Sequence, residues 1–211
     1  DVDDTQTSVD DAKDALDAIA TGEISDTNGP EGGSIAENPS LGATVGITAE
    51  SAFVETGSDV TYSLTDSAGG LFAIDANTGI VTVAGALDAE VETNHQITVN
   101  ATNDNGTTAT RNFDIEVTDL NDNPVTLSDS NGAANAVLEN MAPGTSVGIT
   151  AAGSDADISA TSYTYALGSN DAGGRFAIDP NTGVVTTNFS LDRETAASHT
   201  ITVEVTSNDG S

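Results

Sequence analysis

Asp119-Leu120-Asn121-Asp122-Asn123-Pro124 sets two carboxylates, two side-chain amides and a proline within six residues. Such a run cannot pack as a core strand. It suits a hard cation, because calcium takes about six to eight oxygen ligands from carboxylates, amides and main-chain carbonyls. Other acids stand in pairs, Asp88 with Glu90 and Asp155 with Asp157. One intervening residue puts both carboxylates of a pair on the same side of an extended segment. Acids converging without Lys or Arg repel one another unless divalent cations sit among them. A merely solvated acidic loop is the plainer alternative.

Other chemistries find little support. There is no cysteine, so thiolate nucleophiles, thiolate metal sites and disulfides are excluded. His95 and His199 occupy equivalent strand positions, and neither has a second His nearby, which favours a half-buried strand histidine over a zinc ligand. No Gly-x-Ser-x-Gly elbow occurs. The carboxylate pairs could suggest a glycosidase, but all of them belong to the cation pattern. Asp75 and Asp179 precede Asn-Thr-Gly turns and read as acids bonding their own turns. The formal charge is -30 with only four Lys and Arg, a balance that repels nucleic acid and anionic membrane surfaces. No apolar run approaches the ~18 residues of a membrane span. With no Trp, and with Tyr62 and Tyr165 assigned to cores, stacking on sugar rings is disfavoured.

The elements that must position these acids come in two copies. Leu71–Thr82 (LFAIDANTGIVT) and Arg175–Thr186 (RFAIDPNTGVVT) share nine of twelve residues at an offset of 104. Leu87-Asp88-Ala89-Glu90 recurs as Leu191-Asp192-Arg193-Glu194, and Ile97-Thr98-Val99 as Ile201-Thr202-Val203, at the same offset. Strict alternation over 95–101, 111–117 and 200–205 predicts half-buried antiparallel strands. With dense Gly and Asn turns between short strands, the fold is all-β: two tandem antiparallel β-sandwiches. Repeat 1 spans 35–118, the acidic linker 119–124 and repeat 2 125–211. The expected core is Ile47, Tyr62, Leu64, Phe72, Ile74, Val81, Leu87, Ile97, Val99, Phe113, Ile115 and Val117, then Ile149, Tyr165, Leu167, Phe176, Ile178, Val185, Leu191, Ile201 and Val203. Residues 1–34 form an acidic segment in which Val9, Ala12, Leu16 and Ile19 predict one short helix, followed by a Gly/Pro linker. Repeat 2 stops where its last strand is expected to begin, which reads either as a fragment of a longer array or as a strand supplied by another chain.

Taken in order, these motifs resemble the cadherin repeat, of the kind found in bacterial and archaeal surface proteins. The carriers are Ile35-Ala36-Glu37-Asn38-Pro39 and Leu138-Glu139-Asn140, Phe-Ala-Ile-Asp with Asn-Thr-Gly, the Leu-Asp-x-Glu pairs, Val99-Asn100-Ala101-Thr102-Asn103 and the acidic linker. The resemblance implies three calcium ions at a repeat junction. It assigns Glu37, Asp88 and Glu90 to the base of repeat 1. The linker supplies Asp119, Asn121 and Asp122, with the main-chain carbonyls of Leu120 and Asn123. The top of repeat 2 supplies Asp155 and Asp157. Two departures stand out. The family's Ala-x-Asp ligand is matched by Asn103 and Ser207, and repeat 1 lacks an Asp-x-Asp. Asp26-Thr27-Asn28-Gly29-Pro30 looks like a decayed linker.

The implied function is a non-catalytic, calcium-binding extracellular module that rigidifies a cell-surface adhesin or stalk. Its partners would be other repeats of the same protein and a homotypic or surface-ligand contact, with no nucleic acid and no membrane insertion. The alternatives are a structural subunit of an extracellular filament or surface layer with strand donation, and a carbohydrate-binding module.

Overall fold

The computed structural model describes residues 22–29, 32–53, 59–169 and 171–210. The helix expected within 1–34 lies outside the described residues. The chain divides into two units between Leu120 and Asn121.

The first unit is a sandwich of two four-stranded sheets. One contains β1 (Ile24–Asp26), β3 (Thr44–Ser51), β6 (Ile80–Val83) and β5 (Phe72–Ile74), in that order. The other contains β2 (Gly33–Ala36), β8 (Thr108–Thr118), β7 (Asn94–Asn103) and β4 (Val60–Asp66). Alternation drives the packing: along β8, Phe113, Ile115 and Val117 are buried while Asp114 and Glu116 face out. They meet Val45, Ile47, Val81, Val83, Ile97 and Val99 from both sheets in one core.

Three features depart from the sequence reading. Ile24, assigned to the acidic segment, is 1% exposed and heads a strand paired with β3; three residues are too few to show alternation. The pairing of β2 with β8 is parallel in an otherwise antiparallel fold, because the chain changes sheets between β1 and β2. The glycine at 33 permits that crossing, since a Cβ there would run into the Val45 carbonyl. Val45 and Val83, absent from the expected core, join it, and Tyr62, Leu64 and Ile74 pack at its margin.

The second unit repeats the first sheet as β12 (Phe176–Ile178), β13 (Val184–Thr187), β10 (Ser146–Ser154) and β9 (Thr126–Asp129). Opposite it, β11 (Tyr163–Leu167) pairs with β14 (Val203–Ser207) alone among the described residues. Ile201, expected within a strand over 200–205, precedes β14. Among the described residues Val147, Phe176 and Val185 form its buried apolar cluster, with Ile149, Leu167, Ile178, Leu191 and Ile201 half-covered around them. An open groove runs along Val137, Ile149, Phe176, Leu191 and Ile201, with Glu139, Arg193 and His199 on its polar side.

Candidate metal centre

Strand direction gathers the acids of the first unit at one end. Ala36 pairs with Thr118 across the parallel ladder, so Glu37 and Asp119 each stand one residue beyond it. Because β7 runs antiparallel to β8, with Asn94 opposite Glu116, the loop before β7 returns Asp88 and Glu90 to the same end. Glu37 is 2% exposed, and both its oxygens are used: Oε2 accepts the Ala89 amide at 2.9 Å and Oε1 the Leu120 amide at 2.7 Å. Asn38 stands at a positive φ of 53° and donates its amide to the Leu87 carbonyl at 3.2 Å. That turn seats Glu37 between the two loops.

Carboxylate oxygens of Glu37, Glu90 and Asp119 lie within 4.8 Å of one another. Glu90 Oε1 is buried and accepts no hydrogen bond. Burial, with the neighbouring Asp119, Glu37 and Asp88 carboxylates, pushes the Glu90 carboxyl up to about 7. This is the signature of like charges held together without a countercharge. An orphaned buried oxygen in an oxygen-only, Lys- and Arg-free cluster fits a hard divalent cation. Asp88 is exposed and accepts the Val91 amide at 3.2 Å; it faces Glu90 but is not one of the three clustered acids.

In the second unit the linker residues and the Asp155–Asp157 loop meet at one end, because Thr126 at the start of β9 pairs with Ser154 at the end of β10. Asp157 is 3% exposed. Its Oδ1 accepts from the Asn123 amide at 3.2 Å and from Asn123 Nδ2 at 3.0 Å. Asp155 Oδ1 accepts the Asp157 amide at 3.2 Å, and Asp122 Oδ1 accepts from Asn123 Nδ2 at 2.9 Å. Asn121 donates Nδ2 to the Asp209 carbonyl at 3.0 Å. The sequence reading did not name Asp209, yet its carboxylate lies within 4.8 Å of those of Asp155 and Asp157. Its only sequence signal is an acid two residues past the family's expected ligand position.

Glu139, Asp192 and Glu194 form a third group, all exposed. They copy the first unit's base: Glu139 Oε2 accepts the Arg193 amide at 3.1 Å, and Asn140 carries a positive φ of 59°. Asp26 belongs to a different set. Its Oδ1 accepts the Asn28 and Thr48 amides, as Asp129 Oδ1 accepts those of Asn131 and Thr150. It therefore matches Asp129 of β9, which overturns its reading as part of a decayed linker. Asp75 and Asp179 close their turns as expected: Asp75 Oδ1 accepts the Asn77 and Thr78 amides, Asp179 Oδ1 those of Asn181 and Thr182. Those bonds, the amide of Thr78 or Thr182 foremost, hold both carboxyls below the usual aspartate value. His95 and His199 pack edge-on against Phe72 and Phe176.

Among the described residues no helix is long and apolar enough to cross a membrane. The family model for the cadherin domain matches residues 32–118 and 134–211. Protocadherin Fat 4 of Mus musculus is 41% identical over 140 residues, 64% of this chain and 3% of its own length. Protocadherin Fat 1 of Homo sapiens is 34% identical over 187 residues, 84% of this chain and 4% of its own length. The chain thus spans a small fraction of these relatives. They are animal proteins, and the narrower resemblance to bacterial and archaeal surface proteins draws no support from them. A crystal structure of mouse cadherin-23 EC22-24 superposes with a TM-score of 0.69 at 26% identity, covering 89% of this chain and 59% of that one. That of the protocadherin GammaB4 extracellular domain gives 0.69 at 26%, covering 84% and 28%. The chain belongs to the cadherin domain family, as a tandem pair of all-β repeats of the extracellular, cell-surface kind.

Proposed function

We propose that this chain is a non-catalytic, calcium-binding segment of a cell-surface adhesin or stalk, in which calcium stiffens the connection between successive repeats. The observation that carries the reading is Glu90: a buried oxygen without a hydrogen bond, inside a cluster of carboxylates that raise one another's cost of ionisation. Calcium is the cation of choice because every available ligand is oxygen, and because the many-coordinate, flexible geometry suits loops better than magnesium's strict octahedron. Glu37, Asp88, Glu90 and Asp119 would serve the first unit. Asn121, Asp122, Asp155 and Asp157 would serve the second, with the carbonyls of Leu120 and Asn123 between them in sequence. Calcium would offset the repulsion among these acids and limit the freedom of the connecting segment. The adhesive partner would be another copy of the parent protein or a surface ligand. Small-angle scattering of the chain tests this: a narrow distribution of long dimensions in millimolar calcium, broadening and shortening in chelator, supports it. Identical profiles in both would refute the stiffening.

A second reading, a filament or surface-layer subunit, draws on the open groove beside β14 in the second unit. Purified chain that polymerises in calcium, seen by negative stain, would favour it. A sugar platform is disfavoured because Tyr62, Tyr163 and Tyr165 are half-buried, with hydroxyls accepting the amides of Ser51, Asp155 and Gly153.

A further inference from the structure

We infer that Asp209 is a metal ligand, completing a cation site with Asp155 and Asp157 in the second unit where the expected aspartate is replaced by Ser207. The inference rests on the calcium reading and adds to it a residue outside the family's motif. The three carboxylates converge within 4.8 Å. An independent observation points to a missing partner. Ser207 is 3% exposed, and its Oγ makes no hydrogen bond. Ser207 sits directly opposite Tyr163 in the β11–β14 ladder. Residues paired in this way project from the same face. The Tyr163 hydroxyl accepts the Asp155 amide at 2.9 Å, so that face carries the Asp155–Asp157 loop. A buried hydroxyl oxygen is therefore left without a partner on the face that carries the Asp155–Asp157 loop, and a buried polar atom without a partner is costly.

The intervening residue explains why Asp209 is held there. Asn208 Oδ1 accepts the Thr161 and Ser162 amides, each at 2.8 Å, and its Nδ2 donates to the Ser159 carbonyl at 2.9 Å. Asn208 is thus committed to clamping the 159–162 loop and is not available to an ion. The next residue, Asp209, is pinned through its own carbonyl by Asn121. The first unit is built differently at the matching place. Asn103 Oδ1 caps its own turn, accepting the Asn105 and Thr107 amides, and Asp104 Oδ2 accepts the Asp59 amide at 3.0 Å.

Terbium serves as the probe, since Tyr163 adjoins the site and an excited tyrosine sensitises the luminescence of nearby terbium. The full chain should give saturable luminescence that calcium reverses. Asp209→Asn should weaken terbium binding roughly tenfold or more, because ligand charge sets affinity in such sites. Asp104→Asn should titrate like the parent. Tyr163→Phe should weaken the sensitised signal without abolishing it, since the Tyr165 hydroxyl holds the Gly153 amide close by. An unchanged melting temperature in chelator checks that Asp209→Asn folds. If Asp209→Asn titrates like the parent while Asp157→Asn loses the signal, Asp209 is no ligand and this inference alone fails. If the parent gives neither luminescence nor a calcium-dependent melting temperature, the inference falls together with the calcium reading.

Discussion

Glu90→Gln should change sign with calcium. Its carboxyl is driven from the ordinary glutamate value of 4.5 to about 7, so in chelator the folded first unit holds a proton more tightly than the unfolded chain. Stability in chelator therefore falls as pH rises from 4.5 towards 7, and the ionised form is a net cost above that range. Each pKa unit corresponds to about 1.36 kcal/mol. The shift sets a ceiling near 3 kcal/mol, and solvent screening at the rim of the unit reduces it to about 1 to 2 kcal/mol. Glutamine keeps the shape and removes the charge, so near pH 8 in chelator the variant should be more stable than the parent by about that amount. At ~10 mM calcium the parent should gain about 1.4 to 2.7 kcal/mol per site, for dissociation constants of about 10⁻³ to 10⁻⁴ M. As a ligand shared by two ions, Glu90 bears on about twice that gain, and a variant that forfeits most of it becomes the less stable protein. Urea unfolding at both calcium levels measures the two differences. A variant that is destabilised equally with and without calcium would refute the argument, because Glu90 would then be a structural residue and not a strained ligand.

Asp122→Ala should leave both units folded and should broaden the scattering-derived dimensions in calcium to resemble the parent in chelator. Ile97→Ala should cost about 2 to 5 kcal/mol by emptying a fully buried position; Ile201→Ala, only half-covered, should cost less, both by chemical denaturation. Gly79→Ala should destabilise by at least about 1 to 3 kcal/mol in a melting assay, since its φ is 69° and a Cβ would meet the Ala49 carbonyl. Asp75→Asn should alter the acid limb of the pH–stability profile. The folded carboxyl lies below its usual value of 3.8, so its contribution is complete above 3.8 and lost as pH falls below it; the variant should show a shallower acid transition.

Where the sequence repeats or alternates, it predicts the fold closely. The duplicated Phe-Ala-Ile-Asp and Asn-Thr-Gly segments become β5–β6 and β12–β13 with their Asp-closed turns, and β7 and β8 follow the period of two. What escaped was set by context. Ile24 is buried only because β1 adds to β3, a pairing no local pattern announces. Asp26 mimics a linker acid in sequence, but its backbone partners, Asn28 and Thr48, make it the equal of Asp129. Asp209 was hidden because the motif points to Ser207, and only the Asn208 clamp brings the later acid round. The family resemblance already grouped Glu37, Glu90 and Asp119 at one repeat junction, but not for a physical reason visible in the sequence. Their convergence follows from the parallel β2–β8 ladder, which alternation cannot reveal.

The central claim is that these acids hold calcium. Isothermal titration of calcium into chelator-stripped chain, at physiological salt, measures it directly. Saturable binding is expected, with dissociation constants of about 10⁻⁴ to 10⁻³ M, weakened in Glu90→Gln and poorly reproduced by magnesium. Absence of saturable heat up to ~10 mM calcium, with a melting temperature indifferent to chelator, would contradict it.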